Sequence, residues 1–188
     1  MRFRFRMTLL APLSSCKCLA YSGGMLGKLY ESQVCSIART LEIVGERWSL
    51  LILRDAIFAG VTRFGDMQHN LGIATNVLAS RLDALVEAQI LVRSKYSSDP
   101  NLFEYLVTPK GRDLTTALMA LTEWGDRWAA PAGAPILYSH TTCGSPATAQ
   151  IACAECGVIA DPGEVQVAPG PGMPAEYLAN RRGGAARR

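Results

Sequence analysis

A chain of 188 residues, 49% hydrophobic and 19% charged, has the length of one domain with appendages and enough apolar content to bury a core, which excludes wholesale disorder. Its net charge of +3 dissolves on division, because residues 35–132 hold 10 Lys+Arg against 11 Asp+Glu and the basic excess lies in residues 1–34. A uniformly polybasic body is thereby excluded, and affinity for a polyanion has to come from a few placed cations.

In the N-terminal stretch, Arg2, Arg4 and Arg6 precede the apolar run from Met7 to Leu13 and then Ser14-Ser15-Cys16, the layout of a bacterial lipoprotein signal. The run is short and contains Pro12, so residues 1–30 read instead as an extension, either disordered or upstream of a true start at Met25. No stretch approaches the roughly 20 apolar residues that span a bilayer, and a cytoplasmic location is expected.

Residues 36–46 set Ile37, Leu41 and Val44 on one side of a helix, loosened at Gly45. Residues 48–59, with Trp48, Leu51, Ile52 and Ile57, form a second, more apolar helix closed by Gly60. A short third helix runs from Arg63 to Leu71 and stops at Gly72. Ile73-Ala74-Thr75 opens a longer one to about Gln89, with Leu78, Leu82, Leu85 and Val86 on one side and Asn76, Ala79, Ser80 and Asp83 on the other. Short polar side chains suit a helix that must lie inside a groove.

Leu91 to Tyr96 and Phe103 to Val107 read as two strands of a hairpin, turned by Ser97-Ser98-Asp99-Pro100-Asn101. Thr108-Pro109 supplies an N-cap and a first-turn proline for one helix reaching about Ala129, with Leu114, Leu118, Leu121, Trp124 and Trp128 in a stripe. Two tryptophans on that stripe suggest more burial than a small domain supplies internally. From Pro131 onward the chain is rich in Pro, Gly and Ala.

Helix, helix, short helix, glycine turn, longer helix, hairpin, helix is the order of a winged helix-turn-helix, whose second turn-motif helix enters the major groove of double-stranded DNA. The expected DNA contacts are Thr75, Asn76, Ala79 and Ser80 on that helix, Arg63 at the start of the short one, and Arg93, Lys95 and Tyr96 on the wing. Arg81 leans toward the core edge, as a phosphate contact or a structural ion pair. Singly, Arg93 and Lys95 also fit edge-strand cations that discourage aggregation.

The motifs Val44-Gly-Glu-Arg-Trp48-Ser-Leu-Leu-Ile-Leu-Arg54-Asp, Arg63-Phe-Gly-Asp-Met, Leu71-Gly-Ile-Ala, Leu78-Ala-Ser-Arg81-Leu82 and Tyr105-Leu-Val-Thr108-Pro-Lys-Gly111, with Cys35 ahead of them, resemble the HxlR-type regulators over residues 35 to about 132. The resemblance implies a homodimeric winged helix-turn-helix regulator of promoters, paired through its N- and C-terminal helices. It also makes 73–81 the recognition helix and 93–96 the wing. Relatives with a cysteine where Cys35 stands include sensors of oxidants or electrophiles, so a redox or small-molecule effector is a further implication. A buried, inert Cys35 is the competing reading.

His140-x2-Cys143-Gly144 and Cys153-x2-Cys156-Gly157 are two donor pairs nine residues apart. Tetrahedral zinc takes four such donors, and a segment so short and Pro/Gly-rich needs a staple, so residues 136–168 are expected to form a zinc-ribbon-like appendage with structural zinc on His140, Cys143, Cys153 and Cys156. Residues 169–188 read as a flexible tail. The expected fold class is mainly α, within α+β, as a winged helix-turn-helix domain at 35–132 with that appendage. A zinc-ribbon protein-interaction module on a helical scaffold is the alternative. No nucleophile triad, phosphate loop or paired carboxylates are visible, and Gly157 follows Cys153-x2-Cys156 too closely for a thiol-disulfide active-site helix, so an enzyme is not expected.

Overall fold

The computed structural model describes residue 30 and residues 33–97 and 102–180 of the chain. The extension at 1–30, the wing turn at 98–101 and the last eight positions of the tail therefore lie outside the described residues, apart from Tyr30.

Four helices open the fold: α1 (Ser36–Val44), α2 (Arg47–Phe58), α3 (Phe64–Leu71) and α4 (Thr75–Glu87). The hairpin β1 (Leu91–Lys95) and β2 (Phe103–Val107) follows, then α5 (Pro109–Arg112) and α6 (Thr115–Ala129). α2 is central, packing against α1, α3, α4, α6 and β2. Its Ile52 and Leu53 are fully buried, together with Met67 of α3 and Leu78, Leu82 and Leu85 of α4. Burying each such side chain contributes about 1.5–3 kcal/mol, so the three leucines at i, i+4 and i+7 fix which way α4 faces. Gly72, at φ +59°, ends α3 in the left-handed conformation and turns the chain toward α4.

The hairpin is antiparallel, with Leu91 opposite Val107 and Lys95 opposite Phe103. Beside β2 lies a contact absent from the sequence reading: Arg63 makes an isolated antiparallel bridge to Glu104, and the Tyr105 N–H donates to the Thr62 carbonyl at 2.8 Å.

Thr108 caps α5 as expected, its hydroxyl accepting from the Gly111 N–H and donating to the carbonyls of Gln89 and Ile90. The single helix expected from there to Ala129 is divided at Asp113-Leu114. α5 must stay against the end of α4, where Lys110 Nζ donates to the Ala88 carbonyl at 2.7 Å and a Cβ on Gly111 would collide with the Ile90 carbonyl. The chain then re-aims at Leu114 to begin α6. The stripe divides as well, since Leu118 is buried while Leu121, Trp124 and Trp128 are exposed.

Beyond α6 come β3 (Ala152–Cys153) and β4 (Gly157–Val158), paired antiparallel, a 3-10 turn at Pro162–Glu164, and α7 (Ala175–Asn180). This segment rests on the helical core. The Tyr138 ring packs against Phe58 with centroids 4.7 Å apart, its hydroxyl lies 3.2 Å from that of Thr122, and the Ala149 N–H donates to Glu123 Oε1 at 2.6 Å. Among the described residues, no helix is long and apolar enough to cross a membrane.

Candidate nucleic-acid interface

With its leucines turned inward, α4 presents Thr75, Asn76, Ser80 and Asp83 to solvent and leaves Ala79 half-buried. The slim polar ridge read from the sequence is therefore formed. Its first residue is positioned by α3: the Gln68 side-chain amide donates to the Thr75 hydroxyl at 2.7 Å. That leaves the hydroxyl hydrogen of Thr75 available to an outside acceptor. Sequence reasoning missed Gln68, which is one of four polar residues on a short helix and carries no signal that sets it apart from Asp66, His69 and Asn70.

On the wing, the cations lie on aromatic rings. The Arg93 guanidinium sits 3.7 Å from the Phe103 centroid, Lys95 Nζ lies 5.9 Å from the same ring, and the Arg63 guanidinium lies 4.4 Å from the Tyr96 centroid. Each contact restrains a long side chain while leaving it exposed, so less rotamer freedom is lost when an anion arrives. The bridge between Arg63 and Glu104 brings the start of α3 beside the wing, where Arg93 and Lys95 lie on β1 and Tyr96 directly follows it.

Arg81 is the exception among the expected contacts. Its guanidinium pairs with Glu46, in the α1–α2 connection, at 3.5 Å, and its Nε is buried without a partner. Of the two roles open to it, the geometry gives the ion pair between α4 and the first helices.

Cys35 is exposed at the N-cap position of α1. His140 Nδ1 and Cys143 Sγ are 3.3 Å apart, and Cys153 and Cys156 occupy the turn between β3 and β4. Among the described residues, no group of three or more His, Cys, Asp and Glu residues is gathered about one metal position.

Known proteins are similar to this chain in sequence and fold. The profile of the family described as HxlR-like helix-turn-helix matches residues 43–132. An uncharacterized HTH-type transcriptional regulator of Mycobacterium tuberculosis is 48% identical over 146 residues, covering 77% of this chain and 92% of the relative. The chain belongs to the HxlR family. The solved structure of PA1607 is 34% identical, with a TM-score of 0.65 over 74% of this chain and 97% of its own. A second solved structure, of PA1374 from Pseudomonas aeruginosa, is 40% identical, with a TM-score of 0.55 over 76% and 97%. This HxlR-type protein is a helix-turn-helix regulator of transcription that works by binding DNA.

Proposed function

We propose that this HxlR-type regulator binds an operator as a homodimer in the cytoplasm, with one α4 in each of two successive major grooves and each wing on the flanking backbone. The observation that carries the α4 assignment is its two-sidedness: three leucines fully buried behind a ridge of short polar side chains. Thr75, Asn76, Ala79 and Ser80 meet base edges. Arg63, Arg93, Lys95 and Tyr96 meet phosphates or the minor groove, and Arg81 holds α4 in place. The protein acts by binding and not by catalysis.

Pairing of two copies is supported by apolar faces that nothing among the described residues covers. Ile37 and Leu41 of α1 are 70% and 45% exposed, and Trp124 and Trp128 of α6 are 64% and 70% exposed. Exposed aromatic residues in such number mark an interaction surface. Cys35 stands at the head of α1, where an oxidant could reach it and alter pairing. Peroxide treatment that leaves operator binding of the native chain and of Cys35→Ser alike would remove that part of the reading.

The test is selection of bound sequences from random duplex DNA, followed by titration against salt. An inverted repeat, with affinity falling steeply as salt rises and falling further in Arg93→Ala/Lys95→Ala, is expected. Equal binding to all sequences by the native chain and the α4 variants would overturn the recognition-helix assignment.

A further inference from the structure

Side chains on a strand alternate between two faces, and the register of the hairpin puts Leu91, Arg93 and Lys95 of β1 on the same face as Phe103, Tyr105 and Val107 of β2. At the base of the wing this face is core: Leu91 and Tyr105 are buried, and Val107 packs against the same cluster. Toward the turn it changes character. Arg93 and Lys95 are exposed, and Phe103 is half-buried yet stands outside the apolar core. What its ring meets is charge. The Arg93 guanidinium lies 3.7 Å from the ring centroid and Lys95 Nζ lies 5.9 Å from it. Lys95 is directly opposite Phe103 and Arg93 is its diagonal neighbour, the two cross-strand positions from which long side chains reach one ring.

Cations on alternate residues of a strand are anchored roughly 6.8 Å apart and repel each other. The electron-rich face of a shared ring offsets that repulsion and draws both side chains to one place. A ring, unlike a carboxylate, does so without neutralising the charge that a phosphate would meet. We propose that Phe103 is a positioning residue for DNA binding, which touches no nucleic acid itself and holds Arg93 and Lys95 as a paired cationic grip on the phosphate backbone. This rests on the reading that the two wing cations meet DNA. With both side chains already confined, less rotamer freedom is lost when the duplex arrives. Phosphates are the same at every base pair, so Phe103 governs affinity for all sequences and not the preference among them.

The experiment measures binding of the full-length protein to a fluorescent duplex of mixed sequence, by anisotropy across a series of salt concentrations. Phe103→Leu keeps the apolar bulk and removes the ring. It is expected to bind about three- to tenfold more weakly with the salt slope retained, because both cations are still present. Phe103→Tyr keeps the ring and is expected to match the native chain. Arg93→Ala/Lys95→Ala is expected to bind more weakly with a slope shallower by about two, and adding Phe103→Leu to it is expected to change little more. Native affinity in Phe103→Leu, beside a weakened Arg93→Ala/Lys95→Ala, would overturn the role of Phe103 and leave the wing contacts standing. The same loss from Phe103→Leu with and without the two cations would overturn it as well, by showing that the ring acts through the fold. Native affinity and slope in Arg93→Ala/Lys95→Ala would remove the wing contacts and the proposal together.

Discussion

Arg63 lays its guanidinium over the Tyr96 ring, 4.4 Å from the centroid, and so ties the start of α3 to the end of the first wing strand. A contact of this kind at an exposed site contributes about 0.5–1 kcal/mol. Arg63→Ala is expected to weaken operator binding and to reduce the salt slope by about one ion. Tyr96→Ala is expected to weaken binding with little change of slope, because it removes the rest for the cation and not the cation itself. Equal slopes for both variants, measured by titration across salt, would show that Arg63 does not touch phosphate.

The pair Gln68 and Thr75 gives a prediction about specificity. Thr75→Ala and Asn76→Ala are expected to cost about 1–3 kcal/mol of discrimination between operator and altered sites, while nonspecific affinity changes less. Gln68→Ala frees the hydroxyl it positions and is expected to act in the same direction, more weakly. Competition binding with single-base operator variants reads both effects.

Trp124 and Trp128 give a prediction about assembly. Replacing both by alanine is expected to shift the sedimentation of the protein from dimer toward monomer and to lower operator affinity more than tenfold, with the melting transition of the core retained. A variant that stays dimeric would remove α6 from the interface.

Truncation in the core tests the orientation of α4. Leu82 is fully buried behind the ridge, so Leu82→Ala is expected to destabilise the fold by about 2–5 kcal/mol in denaturant unfolding. Ser80→Ala, on the exposed side, is expected to change stability by less than about 0.5 kcal/mol.

Tyr105 supplies a pH dependence. Burial raises its hydroxyl above the ordinary value of 10.0, with Arg93 drawing it back in part and Asp83 adding to the rise. The folded chain favours the neutral phenol, so this stabilisation is complete below pH 10 and is lost as pH climbs through the higher folded-state value. Thermal melts of Tyr105→Phe are expected to fall less steeply above that pH than those of the native chain.

How much of this was legible in the sequence follows from what each feature depends on. Leu78, Leu82 and Leu85 sit at helical spacing, and Thr108-Pro109 carries its own start signal, so α4 and the cap on α5 could be read locally. The bridge that Thr62 and Arg63 make to β2 and the break at Asp113-Leu114 could not, because both are imposed by distant partners, Glu104 and Tyr105 in one case and the Ile90 carbonyl facing Gly111 in the other. The polar ridge was visible as a pattern of short residues. The ring stacking of Arg63 and Arg93, and the ion pair that draws Arg81 inward to Glu46, depend on elements far apart in the chain and leave no periodic trace.

The packing of Tyr138 on Phe58 has a practical corollary for anyone dissecting the protein. A fragment cut at residue 132, where the family profile ends, would uncover Phe58 and remove the Tyr138 hydroxyl from Thr122 and the Ala149 N–H from Glu123. The smallest piece that behaves like the whole is therefore set by where the polypeptide stops leaning on α2 and α6, past residue 149, and not by the last residue of the shared helix-turn-helix profile.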